Sequence, residues 1–310
     1  MPSDPHKASH LVNGIDITRI DKHPNILIAA SFWDEDRYHA AKICYRFMRE
    51  IDDLVDDHKS NGTKVPCMEK QLLSDKVNNW INCLEESASN DPSIQELINT
   101  IDAYKIPLMY FHNFTMAMHY DINHNSFPTF ESFIEYAEGA SVAPASVFVH
   151  LCCLQKENGS YIEPSIDILE VARPCALFSY LVHVIRDFQK DQNENLNYFA
   201  IDVLKENNLT ANDLKEIAIS GNIPQEFRDV IRFYKAKAEE YKHDTIQQIN
   251  RLQNLVNGRY MMSLNIIFQL YLSVFDRIDI ENGTFTAEEL TPTNEEIAAM
   301  VLDFGKAMKQ

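Results

Sequence analysis

Apolar residues recur with helical spacing along nearly the whole chain. They return every three or four positions, and no run between turn signals alternates apolar and polar residues as a half-buried strand does. Turn-forming residues such as Asn61-Gly62, Pro128 and Gly221-Asn222 separate the periodic segments. The pattern predicts helices at about 34–57, 68–86, 93–103, 106–121, 129–138, 141–155, 167–191, 210–218, 225–256, 259–277 and 294–308.

The sequence carries no sign of a division into several domains. It contains no repeat of about 20–50 residues, no low-complexity tract and no linker rich in Pro, Gly or Ser. The simplest architecture is all-α, with residues 1–20 as a flexible N-terminal segment and residues 21–310 as a single helical domain. Only eight of the 310 residues are glycine, which argues against a turn-dense all-β fold and against glycine-rich phosphate loops.

The net charge limits the classes of partner. With 46 acidic and 28 basic residues the chain carries a net charge of −18, and such a surface repels nucleic-acid phosphates and anionic lipid. We therefore expect no nucleic-acid partner, and an anionic substrate would need divalent cations. No signal peptide or C-x-x-C pair is present, and the longest weakly polar stretch, 140–154, is too short to span a bilayer. These features predict a cytoplasmic protein with reduced thiols.

A first acidic stripe lies on the predicted helix 34–57. Tyr45, Arg49, Asp52 and Asp56 are spaced at i, i+4, i+7 and i+11, so they share one helix face between an apolar and a charged flank. Carboxylates four residues apart lie about 5–6 Å apart at Cβ, which suits the binding of a divalent cation and disfavours a bare helix because like charges repel. Taken alone, the stripe is explained equally well by a solvated charged face.

A second acidic stripe lies on a helix that is apolar on nearly all sides, residues 175–188, and is therefore predicted to be buried. Tyr180, His183, Asp187 and Asp191 nevertheless share one face at i, i+3, i+7 and i+11. Because an unpaired carboxylate is costly to desolvate, this face must meet a polar cavity, a cation or a basic partner.

The two stripes together suggest a specific chemistry. If the helices face each other across a bundle, the four carboxylates can hold Mg²⁺, which prefers a few carboxylates together with waters and phosphate oxygens. Arg49 and Arg186, one beside each acidic pair, can bind the same phosphates. Such an arrangement favours the release of diphosphate from a substrate, because metals and arginines stabilise the departing charge.

These segments resemble the two aspartate-rich motifs of the squalene/phytoene synthase family. The first reads Arg49-Glu-Ile-Asp52-Asp-Leu-Val-Asp56, and the second, about 135 residues later, reads Arg186-Asp187-Phe-Gln-Lys-Asp191. The resemblance extends over residues 20–280 or so. It implies an all-α, isoprenoid-synthase-type helical bundle with a central cavity.

The resemblance also implies a set of site residues. Mg²⁺, with Mn²⁺ as an alternative, is expected on Asp52, Asp56, Asp187 and Asp191. Further catalytic residues are Tyr45 and Tyr198, and the substrate-binding residues are His23, Arg49, Ala143, Tyr180, His183, Arg186 and Tyr271. Ala143 closes a segment of small residues, 139–143, on which prenyl chains lie in the family. Phe130, Phe133 and Tyr136 line a prenyl pocket or simply pack in the core.

Several positions depart from the family pattern. Tyr180 and His183 stand where Gln and Asn are usual, and Leu196 replaces an expected arginine. Pro24 and Asn25 occupy positions where serines are common, and no arginine after Tyr271 is assigned to phosphate binding. The acidic framework is thus complete, while several phosphate ligands are altered.

The implied reaction is a Mg²⁺-dependent, head-to-head condensation of two C15 or C20 prenyl diphosphates through a cyclopropyl intermediate. It ends in a squalene-type product with hydride from NADPH, or in a phytoene-type product by proton loss. The sequence leaves chain length, NADPH use and oligomeric state open, and lipid products suggest transient peripheral contact with a membrane. Asp52→Asn or Asp187→Asn is expected to abolish diphosphate release and leave the fold intact.

Three other interpretations remain open from the sequence. In the first, the protein is another class I prenyl or terpene synthase with a different second substrate. In the second, it is a non-catalytic relative that acts as an assembly scaffold. In the third, it is an unrelated helical protein with chance acidic patches. Retention of all four aspartates argues against the scaffold, since a scaffold has no need of them.

Overall fold

The computed structural model describes residues 11–12, 15–16, 25–60 and 67–307. Most of the predicted N-terminal segment 1–20 lies outside these residues, and its flexibility therefore stays a prediction. His23 and Pro24 also lie outside the described residues.

Helices dominate the described residues, which confirms the predicted all-α class. The α-helices are α1 (Asn25–Ala30), α2 (Glu35–Ser60), α3 (Cys67–Glu85), α4 (Pro92–Ala103), α5 (Leu108–Asn123), α6 (Phe130–Ala137), α7 (Ala143–Cys153), α8 (Ile168–Arg186), α9 (Phe188–Asn193), α10 (Ile201–Glu206), α11 (Ala211–Ser220), α12 (Gln225–Leu252), α13 (Gly258–Phe275), α14 (Ala287–Leu290) and α15 (Asn294–Ala307). A π-helical segment, Glu138–Val142, joins α6 to α7.

Two short antiparallel hairpins accompany the helices. Strands β1 (Leu11–Val12) and β2 (Ile15–Asp16) form one, and β3 (Gln155–Glu157) and β4 (Ser160–Ile162) form the other, with Lys156 opposite Tyr161. The turn of the second hairpin is Asn158-Gly159, and both residues have positive φ (50° and 86°), as a two-residue hairpin turn requires.

Local signals set several helix ends. Asp91 caps α4, because its side chain accepts a hydrogen bond from the backbone N–H of Ser93, and Pro92 occupies the first helical position, where no N–H is needed. Thr210 and Asp213 form a reciprocal capping box at the start of α11. Gly221 ends that helix in the left-handed region.

Helix α8 lies at the centre of the bundle. It packs against α7, α12, α13 and the π-helical segment, and side chains such as Phe178 and Leu181 are fully buried. This surrounding explains why its sequence is apolar on nearly every side. By length and composition α8 is the one described helix apolar enough to cross a membrane, but 67% of it is buried inside the bundle, as expected for a core helix.

The predicted helix 167–191 is wrong in one respect, because it is divided in two. Helix α8 ends at Arg186, and Asp187 (φ −93°, ψ 5°) caps it before α9 begins. Asp187 and Asp191 therefore both follow the end of α8, one turn apart, and the backbone N–H of Asp191 donates to the carbonyl oxygen of Asp187. The sequence also missed the short helices α1, α10 and α14, which are too short to show a helical period.

The π-helical segment has two sequence causes. Pro144 has no backbone N–H, so it cannot complete the preceding turn. Gly139 lies so close to α5 that an added Cβ would be 2.2 Å from the backbone oxygen of Asn113. Only glycine allows this approach, which brings the small-residue segment into the wall of the bundle.

Candidate active site

A cavity of about 510 Å³ lies between α2 and α8. Helix α7 packs against both helices, and α12, α13 and the π-helical segment also contribute to the wall. Along α8 the lining changes from Val171 and Ala172 to His183 and Asp187, a span of about four helical turns. The cavity is therefore apolar over most of its length and charged at one end, here called the acidic mouth and lined by Arg49, Asp52, Asp56, His183, Arg186, Asp187, Lys190, Asp191 and Glu194.

The first motif lines this mouth from one uninterrupted helix. Tyr45, Arg49, Asp52 and Asp56 all face the cavity, so the helical face predicted from their spacing is present. Arg49 Nη1 lies 3.1 Å from Asp52 Oδ2, and its other terminal nitrogen pairs with Asp53 on the charged flank. Burial raises the pKa of Tyr45, although the charge of Arg49 opposes that effect.

The second motif surrounds Asp187 with donors. Arg186 donates to both carboxylate oxygens of Asp187, at 2.6 and 3.0 Å, and His183 Nε2 lies 2.6 Å from Asp187 Oδ2. Burial by itself would raise the pKa of this carboxyl, but the hydrogen bonds with His183 and Arg186 hold it well below its ordinary value. Asp187 is thus ionised and already partnered.

Asp191 lies in a different electrostatic environment. Burial, followed by the charges of Asp187, Glu194 and Asp56, raises its pKa to about 8, and the charge of Lys190 opposes them. The effect of Asp56 indicates that the two motifs are close enough to interact although they belong to distant parts of the sequence. The acidic mouth therefore holds more negative charge than its own cations neutralise.

The donor set fits Mg²⁺ better than a metal bound by protein alone. Among the described residues, no three His, Cys, Asp or Glu side chains are close enough to hold a metal by themselves. Carboxylates on opposite walls suit Mg²⁺, which keeps several waters and uses phosphate oxygens of a substrate to complete its shell.

Tyrosines form much of the wall next to the mouth. Tyr136, Tyr180 and Tyr198 line the cavity, and burial raises the pKa of each hydroxyl well above its usual value. Tyr136 donates a hydrogen bond of 2.5 Å to Asp121 Oδ2, and Asp121 is only 2% exposed. The aromatic wall thus has a buried carboxylate directly behind it.

Sequence reasoning missed Asp121, although a signal was present. On α5 it follows Phe114, Ala117 and Met118 on the buried face. A carboxylate on an apolar helix face is costly unless it is hydrogen-bonded, so its position alone indicated a buried partner. The sequence left Tyr136 open between core packing and the pocket, and the structure places it in both.

Of the other predicted site residues, some line the cavity and one is buried in the core behind its wall. Tyr271 and the departures Tyr180, His183 and Leu196 line the cavity. Ala143 does not line it and is fully buried behind the wall. The substrate contact predicted at Ala143 therefore has no support from the cavity lining and stays a prediction. The small residues that line this wall are the half-buried Ala140, Ser141, Pro144 and Ala145.

The fold and the cavity together define an all-α protein of the isoprenoid-synthase type. The chain belongs to the squalene/phytoene synthase family, since the family profile described as Squalene/phytoene synthase matches residues 21–295. No curated protein sequence matches the chain significantly.

Several solved structures are similar over most of their length. A dehydrosqualene synthase solved in complex with a ligand is 15% identical to this chain. The alignment covers 99% of each chain, with a TM-score of 0.69. Squalene synthase HpnC from Alicyclobacillus acidocaldarius is 13% identical, covers 86% of this chain and 100% of its own, and has a TM-score of 0.58. YisP from Bacillus subtilis is 13% identical, covers 87% and 97%, and has a TM-score of 0.54. At these identities the likeness establishes the fold.

Proposed function

We propose that the protein is a Mg²⁺-dependent enzyme that condenses two C15 or C20 prenyl diphosphates head to head. The observation that carries the proposal is the cavity itself. Four carboxylates from two distant motifs line one end, and apolar and aromatic side chains line the rest. A diphosphate head and a long hydrocarbon tail have this same division of polarity.

The acidic mouth would bind the diphosphate through metal ions. Asp52 and Asp56 on one wall, and Asp187 and Asp191 on the other, supply the oxygen ligands that Mg²⁺ or Mn²⁺ prefers. When bound, the metal neutralises the charge that develops on the leaving diphosphate. Arg49 and Arg186 would donate hydrogen bonds to the phosphate oxygens. These hydrogen bonds would become stronger as the bond to the prenyl carbon breaks and charge develops on the oxygens.

The interior would protect and steer the resulting allylic cation. Phe114, Phe148 and Leu264 exclude water from the apolar part of the cavity. The tyrosine rings near the mouth, Tyr45, Tyr180 and Tyr198, present faces that attract positive charge. The protein would work in the cytoplasm and contact a membrane only transiently when it exchanges its lipophilic ligands.

The direct test is an incubation with C15 or C20 prenyl diphosphate and Mg²⁺, with and without NADPH. Released diphosphate and extracted hydrocarbons are both measured, and EDTA provides the metal-free control. We expect metal-dependent diphosphate release and a hydrocarbon with twice the carbon number of the substrate. A doubled product that needs NADPH indicates the squalene type, and one formed without it indicates the phytoene type.

Other outcomes of this assay identify the alternatives. A product that contains a single prenyl chain would indicate another class I prenyl or terpene synthase. A non-catalytic relative is favoured by one observation, the engagement of Asp187 by both His183 and Arg186, which leaves this carboxylate less available to a metal. The absence of any diphosphate release in a folded, Mg²⁺-loaded protein would support that alternative and contradict our proposal.

A further inference from the structure

Three permanent cations line the cavity within the described residues, namely Arg49, Arg186 and Lys190. They differ in how completely the protein neutralises them. Arg186 is 18% exposed in its side chain and makes a two-point pair with Asp187. Arg49 divides its guanidinium between Asp52 and Asp53. Neighbouring carboxylates therefore neutralise much of the charge of both arginines before a ligand binds.

Lys190 is bound far more loosely. It lies on α9 between Asp187 and Asp191, and its side chain is 63% exposed. Its ammonium nitrogen is 4.0 Å from Glu194 Oε2, at the outer limit of an ion pair. Its side chain still borders the mouth, because Lys190 is one of the residues that line the cavity. Lys190 is thus the cation of the mouth that the protein neutralises least.

We propose that Lys190 is a diphosphate-binding residue, held by Glu194 until the ligand arrives. This inference rests on the proposed function and adds a residue to that site. An ammonium group on a flexible stem follows a phosphate oxygen more freely than a guanidinium that is held in a two-point pair. Lys190 therefore supplies positive charge within the second acidic motif, next to the carboxylates that bind metal.

The arrangement makes Glu194 a competitor of the phosphate. Both anions seek the same ammonium group, and Glu194 is one helical turn further along the chain, where it lines the same mouth. Removal of the Glu194 charge should free Lys190 and also reduce the repulsion that an incoming diphosphate meets. Variants at these two positions are therefore expected to change diphosphate affinity in opposite directions.

The test is isothermal calorimetry with inorganic diphosphate, with Mg²⁺ and with EDTA. Lys190→Gln should weaken binding about threefold to tenfold, as expected for the loss of one charge-assisted hydrogen bond at an exposed site. Glu194→Gln should tighten diphosphate binding by about threefold. This increase in affinity should disappear when Glu194→Gln is combined with Lys190→Gln. Lys205→Gln, an exposed lysine on α10 outside the cavity lining, is the matched control and should bind like the wild type.

The outcomes separate this inference from the proposed function. Equal affinities of wild type and Lys190→Gln, or weaker binding by Glu194→Gln, would overturn the role of Lys190 whatever the enzyme does. Binding that is lost through unfolding is recognised from the thermal midpoint of each variant. The proposed function is judged separately, by turnover of prenyl diphosphate in the wild type, and it stands or falls without Lys190.

Discussion

The two aspartate-rich motifs look alike in the sequence and differ in the structure. Each places two carboxylates four residues apart beside an arginine. The first lies on one continuous helix, and the side chain of Asp52 is 34% exposed. The second spans a helix end, and the side chain of Asp187 is 14% exposed and held by two cationic groups. Spacing therefore decides which side chains share a face, whereas surroundings decide their charge and partners.

The largest expected effect tests what the motifs have in common. Asp52→Asn and Asp191→Asn should each slow diphosphate release about 10²- to 10³-fold, because under the proposed function each would remove a ligand of the metals that stabilise the departing charge. Release is measured with a coupled diphosphate assay at saturating Mg²⁺. Asp57→Asn, on the exposed flank of α2 and outside the cavity lining, is the control and should stay within about twofold of the wild type. Normal turnover by Asp52→Asn or by Asp191→Asn would contradict the proposal that these carboxylates bind the metal.

The next effect separates the motifs by stability. Asp187→Asn should lower the free energy of unfolding by about 1–3 kcal/mol, because the largely buried Arg186 loses its counter-charge. Asp52→Asn should change it by less than about 0.5 kcal/mol, since its carboxylate is more exposed and its pair with Arg49 is worth little. Urea unfolding in EDTA measures both. This prediction differs from the sequence-based expectation that both substitutions leave the fold intact, and equal losses of stability would refute it.

A third prediction uses pH to separate Asp191 from Asp187. With a folded pKa of about 8, Asp191 keeps its proton in the folded protein at pH values where an unfolded aspartate has lost it. The folded state then binds more protons, so this group's contribution to stability falls as pH rises from about 4 to 8. Asp187, whose pKa is lowered, acts in the opposite sense and loses its contribution only as pH falls below about 4.

The measurement is the thermal midpoint of metal-free protein across this pH range. The wild type should lose stability relative to Asp191→Asn as pH rises, and added Mg²⁺ should stabilise the wild type more at pH 8.5 than at pH 6.5, because metal and proton compete for the same carboxylate. Parallel curves for the two proteins would show that Asp191 does not titrate in this interval.

The smallest expected effect concerns His183. Its ring nitrogen lies 2.6 Å from Asp187 Oδ2 and so occupies an oxygen that a metal would use. His183→Asn restores the residue type usual in the family and should tighten the apparent Mg²⁺ affinity about twofold to fivefold. A Mg²⁺ titration of diphosphate release measures it, with His243→Asn, an exposed histidine on α12, as the control. Weaker Mg²⁺ binding would mean that His183 supports the metal site.

Much of the helical framework was predictable because helix signals are local. The periodicity of α2, the apolar character of α8 and the caps at Asp91 and Thr210 depend on residues within a few positions of one another. The break at Asp187 was not predictable in this way, because neither glycine nor proline marks it and the helical spacing of the motif continues through it. The π-helical segment was missed for a related reason, since Gly139 is required there by the backbone of α5.

The candidate site divides along the same line. The sequence by itself determined an all-α chain, two faces that each carry two carboxylates and an arginine, and a resemblance that named the family. Only the tertiary structure decided that both faces border one cavity, that Ala143 lies behind its wall, and that Asp121 supports Tyr136. The surroundings in the fold also decided that the pKa is lowered at Asp187 and raised at Asp191. The reason is physical: spacing is a property of one helix, whereas burial and electrostatic repulsion come from neighbours that the fold brings together from distant parts of the chain.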